Sequence, residues 1–204
     1  MDQGLRLVTP KAILRDFRPT DVDGLLGVVG DDRVTQWLSF DSRSREQTTR
    51  MIESARVAAA AESRTEFYVG VTLPEDDSEI VGLARLALGG VRAAKLGFAV
   101  RYDHHGRGIA SAVVDRFVRF GFEELDLHRV TAAAGPENLP SHRVLERNGF
   151  QREGRLRDHV FTNGAWRDSI LFSRLATDLP TGRPGDIAAQ LVVPANDVRP
   201  ARTS

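Results

Sequence analysis

The chain has 204 residues, enough for one domain with a full hydrophobic core and a tail. Its 28 basic and 28 acidic residues cancel, which disfavours nucleic acid as the primary ligand. The absence of cysteine excludes disulfides, thiolate metal sites and a cysteine nucleophile, and no apolar run approaches bilayer length, so we expect a cytoplasmic protein with no membrane segment.

Leu5 to Val8 and Ala12 to Arg15 read as short strands around a Thr9-Pro10 turn. Thr20-Asp-Val-Asp23 has the form of a capping box, which predicts a helix starting there, covering Leu25 to Val29 and ending at Gly30. Val34 to Leu38 reads as a short second helix. Ser44-Arg-Glu-Gln47 is another capping box and opens a longer helix through Met51, Ile52 and Ala55 to Ala61. Glu66 to Leu73 and Ile80 to Leu88 are strand-like runs joined by the acidic Pro74 to Ser78 turn.

Lys95 to Val100 is the next strand and runs into Gly106-Arg107-Gly108. Beyond it, Ile109, Val113, Phe117 and Phe120 share one helical stripe, flanked by Ala110, Val114, Val118 and Phe122, so this helix packs against a sheet. His128 to Ala134 is a strand, Gly135 to Asn138 a turn, and Pro140 or Ser141 starts a helix that ends at Asn148-Gly149. Phe150 to Leu156, Val160 to Thr162 and Trp166 to Leu175 complete the strands, with Asn163-Gly164 a type I′ hairpin signal. The composition changes beyond Thr177, so residues 1–176 form the domain and 177–204 a Pro/Gly-containing tail. That tail is either flexible or docks through Ile187 to Val193.

The strand, Gly-x-Gly turn and helix around Gly108 form a ready anion site. The first N–H groups of a helix lack acceptors within it, and glycines let a phosphate approach the backbone. The run from Leu96 to Val100, followed by His105-Gly106-Arg107-Gly108-Ile109-Ala110, resembles motif A of the GNAT acetyltransferases, Gln/Arg-x-x-Gly-x-Gly/Ala. Pro136 to Phe150, with Asn138, Ser141, Arg143 and Glu146, resembles the second signature of the RimJ/RimL-like branch. Two departures stand out: His105 replaces the usual Gln or Arg, and Lys95 occupies a commonly acidic position.

The resemblance implies a mixed α+β fold. Its central twisted sheet is mostly antiparallel, has about seven strands splayed between strands 4 and 5, and is flanked by helices. It implies acetyl-CoA as cofactor and no metal. In that frame His105 and the amides of Gly106, Arg107, Gly108, Ile109, Ala110 and Ser111 hold the pyrophosphate. Phe98, Ala99 and Val100 offer backbone groups to the pantetheine arm, and an N–H near Ala99 or Val100 steadies the oxyanion. Asn138 bonds the pantetheine or simply caps its helix; Ser141 protonates the departing thiolate or serves the first turn. Arg143 reaches the phosphates. Trp37, Leu38 and Phe40 line the acceptor cleft. Glu66, His104 and Asp168 are the candidate bases, while His128 and His159 read as structural or surface residues.

The implied activity is direct acetyl transfer to a primary amine. A protein α-amine (pKa near 7.7–8.0) is partly neutral at pH 7, whereas a lysine side chain (about 10.4) is not. With Lys95 in place of an acidic residue, a protein N-terminus is the favoured acceptor. A small-molecule amine (polyamine, antibiotic or metabolite) and a non-catalytic CoA-binding role remain as alternatives, and a homodimer is left open. A Rossmann dinucleotide enzyme fares poorly, because the third glycine is missing.

Overall fold

The computed structural model describes residues 4–178. All of the tail beyond Asp178, including the Ile187 to Val193 segment, lies outside the described residues. Strands β1 (Arg6–Val8) and β2 (Ile13–Arg15) form a hairpin. The Thr9 hydroxyl accepts the N–H groups of Lys11 and Ala12 at 3.2 and 2.8 Å, which fixes the turn between them. A 3-10 turn, Pro19–Asp21, precedes α1 (Val22–Val29), so the helix begins later than the Thr20 capping pattern predicts. Asp21 explains this. Its buried carboxylate accepts from the Arg15 guanidinium at 2.8 and 3.0 Å and from the Arg18 N–H at 2.6 Å.

The single-turn α2 (Asp32–Thr35) starts two residues before the expected Val34, because Asp31 caps it by accepting the Arg33 N–H. Ser44 and Gln47 form the reciprocal capping box of α3 (Arg45–Ala59). Next come β3 (Glu66–Thr72), β4 (Gly82–Leu88) and β5 (Ala93–Val100). A second 3-10 turn, Tyr102–His104, leads through the glycine turn to α4 (Ile109–Glu123). The chain closes with β6 (Arg129–Ala134), α5 (Leu139–Arg147), β7 (Gln151–Thr162) and β8 (Ala165–Leu175).

The sheet has eight strands in the order β1-β2-β3-β4-β5-β6-β8-β7. Every neighbouring pair is antiparallel except β5 and β6. The two N-terminal strands read in the sequence are both present, which takes the count one above the seven or so that the resemblance implies and makes the parallel pair fifth and sixth in chain order. The break expected near residue 158 is a bulge within one strand: Asp158 adopts a φ of 46° and the β7–β8 register shifts there.

Each face of the sheet carries its own core. On one, α4 buries Val114, Phe117 and Val118 against Leu86, Leu96, Val130 and Phe172. On the other, α1 and α3 bury Leu25, Val28 and Ile52 against Phe17, Leu83 and Ala99. Each such side chain contributes about 1.5–3 kcal/mol of burial. Helix α5 ends where Gly149 takes a φ of 75°, with Phe150 N–H bonded to Leu145 C=O at 3.1 Å and both side chains in the first core.

Candidate active site

The parallel pairing of β5 with β6 runs from Ala93 opposite Arg129 to Leu96 opposite Ala132, and then the strands part. Which main-chain groups face the gap follows from strand geometry, since successive residues point their N–H and C=O to opposite edges. Arg101 N–H bonds the Val81 carbonyl at 2.8 Å, on the β4 side. Gly97 and Ala99 therefore also face β4, whereas Phe98 and Val100 face the gap. Of the three residues expected to expose backbone here, Ala99 belongs to the β4 ladder.

The mouth of α4 lies beside this gap. Gly108 is its N-cap at a φ of 79°, and no side chain caps the helix. The first intrahelical bond is Ala112 N–H to Gly108 C=O, so the amides of Gly108, Ile109, Ala110 and Ser111 have no acceptor within the helix. A Cβ on Gly106, also at positive φ, would meet nothing within 4 Å. At Gly108 it would lie 2.8 Å from Lys11 Nζ, which donates to the Arg107 carbonyl at 3.1 Å. The β1–β2 turn thus presents a cation at the helix mouth, which no local sequence pattern around Gly108 announces. Arg107 directs its guanidinium to the Asp103 carbonyl at 3.0 Å.

Two histidines pin the lips of the gap. His105 Nε2 lies 2.8 Å from the Val100 carbonyl, and its ring is tilted against Tyr102. His142 Nε2 lies 2.9 Å from the Gly135 carbonyl, just past β6, with its ring against Phe172. A carbonyl only accepts, so Nε2 carries the proton in both. His105 therefore anchors the end of β5. Asn138 caps α5 by accepting the Ser141 N–H at 3.2 Å, and no described residue engages its amide nitrogen or the Ser141 hydroxyl. The Asn148 amide nitrogen donates to the Ser111 hydroxyl at 3.0 Å, joining the end of α5 to the first turn of α4. Arg143 is exposed on α5.

On the opposite face, the segment after α2 is strapped to the β7–β8 hairpin. Arg167 donates to the carbonyls of Gln36 and Leu38, at 2.5 and 2.8 Å, while Asp41 accepts from the Thr162 hydroxyl and the Asn163 N–H at 2.6 and 2.7 Å. Leu38 and Phe40 pack against the second core, and Trp37 is 40% exposed beside them. A groove of about 420 Å³ opens between α3 and β3, lined by Arg43, Gln47, Arg50, Met51, Glu66 and Tyr68 among others.

The candidate bases separate here. Glu66 is ion-paired with Arg85 on the neighbouring strand. Asp168 accepts from the Asp158 N–H and from Arg155, bonds that hold its carboxyl below the usual range. His104 is buried on the turn before α4 and bonds Asp103 at 2.8 Å. His159, read as a structural or surface residue, lies half-buried with Nδ1 3.0 Å from the Ser169 hydroxyl. Burial, and then the charge of Lys95, push its pKa down, so it is a neutral imidazole at pH 7. Burial raises the Tyr68 phenol to about 12, so it stays protonated.

The Acetyltransferase (GNAT) domain family matches residues 11–151, and the chain belongs to that family. It is an N-acetyltransferase. It is 37% identical over 172 residues to the probable N-acetyltransferase YjcK of Bacillus subtilis (strain 168), covering 81% of this chain and 94% of that protein. It is 31% identical over 120 residues to the ribosomal protein uS5-alanine N-acetyltransferase of Escherichia coli (strain K12), covering 57% of this chain and 61% of the relative. Among solved structures, Mycobacterium smegmatis RimJ in complex with CoA-disulfide superposes with a TM-score of 0.73 at 26% identity, covering 87% and 90% of the two chains.

Proteins of this family use acetyl-CoA, and the residues described fit it. A diphosphate needs converging donors with no side chain in its way, as the α4 mouth provides; a pantetheine amide needs a free strand edge, as Phe98 and Val100 provide.

Proposed function

We propose that this N-acetyltransferase acts on the α-amine at a protein N-terminus. The observation that carries the reading is the state of the acceptor face. Of the carboxylates expected to act as base, Glu66 is engaged by Arg85 and Asp168 by Arg155, while His104 is bonded to Asp103; the neutral His159 imidazole is the candidate base left to the acceptor face. A weak base of this kind suits an amine that is already partly neutral at pH 7, and it suits a lysine side chain poorly. The partial likeness to a ribosomal-protein alanine N-acetyltransferase supports the same acceptor class.

Acetyl-CoA supplies a thioester carbonyl open to attack by a neutral amine. The Gly108 to Ser111 amides and the Lys11 ammonium would hold the diphosphate, and the Phe98 main chain would bond the pantetheine arm together with the Asn138 amide. Val100 N–H steadies the oxyanion as the carbon–nitrogen bond forms. His159, directly or through water, takes the proton the amine releases. Ser141 Oγ hands a proton to the sulfur as the carbon–sulfur bond breaks, and solvent restores it.

Rates on peptides with a free N-terminus, compared with N-blocked peptides containing lysine, test the acceptor class. The free N-terminus is expected to be the faster substrate, and faster lysine acetylation overturns the proposal.

A further inference from the structure

We propose that the acceptor carries negative charge within its first four residues, recognised by Arg43 and Lys95. This rests on the N-terminal reading above and adds the chemical class of the substrate. Tyr68, Arg85 and Gly97 stand opposite one another on β3, β4 and β5. Neighbouring strands are about 4.8 Å apart, so the groove over Tyr68 lies roughly 10 Å from the gap beside Gly97, on the same face of the sheet. An extended peptide covers that distance in about three residues. A chain whose amine sits at the gap therefore lays its third or fourth side chain at the groove.

Most charges along this path cancel. Arg85 pairs with Glu66 and Arg50 with Glu46, while Asp41 is hydrogen-bonded to the hairpin and keeps a charge that Arg43 and Arg167 share. Arg43 and Lys95 have no carboxylate partner among the described residues. The Arg43 guanidinium lies over the Phe40 ring at 4.9 Å, a stack that leaves its edge N–H groups free for a carboxylate. Lys95 is exposed on β5, close enough for its charge to act on His159. The protonated Tyr68 hydroxyl, which donates to the Met51 sulfur at 3.6 Å, adds no negative charge. A polyamine would meet repulsion here, whereas an aspartate or glutamate would meet two unspent cations.

The test uses the full chain with saturating acetyl-CoA and three hexapeptides that share a free N-terminal alanine. Residues three and four are Asp-Glu, Ser-Gln or Lys-Lys, and thiol release gives kcat/KM for each. The acidic peptide is expected to exceed the basic one by about tenfold at low salt, with the gap closing as salt rises. Arg43→Glu reverses the order while leaving CoA affinity within about twofold, a margin of about 0.4 kcal/mol by the same relation. Lys95→Glu, at an exposed strand position, narrows the preference independently should Arg43→Glu fold poorly. Arg119→Glu, on α4 across the sheet, leaves it unchanged. Equal rates on the acidic and basic peptides, or a preference that neither acceptor-face variant moves, overturns the inference while the N-terminal reading stands. No turnover on any of the three peptides sinks both.

Discussion

The two faces of the sheet reach their chemistry by different means. On the α4 side the groups proposed to hold the cofactor are main chain: the Phe98 and Val100 edge, and amides at a helix mouth opened by a positive-φ glycine. Side chains there serve mainly to pin that backbone, as His105, His142 and Asn148 do. On the α1 and α3 side the groups are side chains, namely Arg43, Lys95, His159 and the strapped segment around Trp37. A backbone site tolerates side-chain change but not conformational change, and it suits a cofactor common to a whole family. A side-chain site can be rewritten residue by residue, which suits a choice of acceptor that differs between members of one family.

Gly108→Val should break the comparison most severely. A branched residue at a φ of 79°, with its Cβ against Lys11 Nζ, cannot keep the helix mouth open. CoA affinity is expected to fall by about 100-fold in calorimetry, a loss of about 2.7 kcal/mol. The far-ultraviolet circular dichroism should stay that of a folded protein. His159→Gln is the matching change on the other face. It should lower kcat by about tenfold and leave the CoA dissociation constant unmoved, a split that steady-state kinetics and calorimetry together report.

The same residue sets a pH dependence. Its depressed pKa keeps the imidazole neutral, so the loss that His159 itself causes comes as pH falls through that depressed value, below the ordinary histidine range and below the decline set by protonation of the amine near 7.7–8.0. Lys95→Glu removes one cause of the depression and should move the acid limb of the rate profile upward. The smallest effect belongs to Lys11→Met, expected to weaken CoA about fivefold and to flatten the salt dependence of binding. An unchanged salt slope would remove Lys11 from the diphosphate site.

The sequence made the local features legible. The Ser44–Gln47 capping box, the Gly149 helix stop and the Asn163-Gly164 turn, with φ values of 51° and 72°, all depend on residues within a few positions. The Thr20–Asp23 pattern found the helix over Leu25 to Val29 but set its start one residue early, because Asp21 is claimed by Arg15, whose own place depends on the sheet. The Gly-x-Gly helix mouth was legible as a motif. Its supports were not, because Lys11 and Asn148 reach it across 96 and 37 positions of chain. Which residues face the gap depends on strand register, and composition carries no such signal. His159 reads from the sequence only as structural or surface, because the β7–β8 pairing alone sets it beside Ser169.

The central claim is that one edge of β5 and the mouth of α4 together grip acetyl-CoA. Amide-resolved hydrogen exchange by NMR, with and without CoA, tests it directly. Protection should rise at Phe98, Val100 and Gly108 to Ser111, while Ala99, already held by β4, should not change. Protection confined to other amides, or equal gains at Ala99 and its two neighbours, would contradict the account.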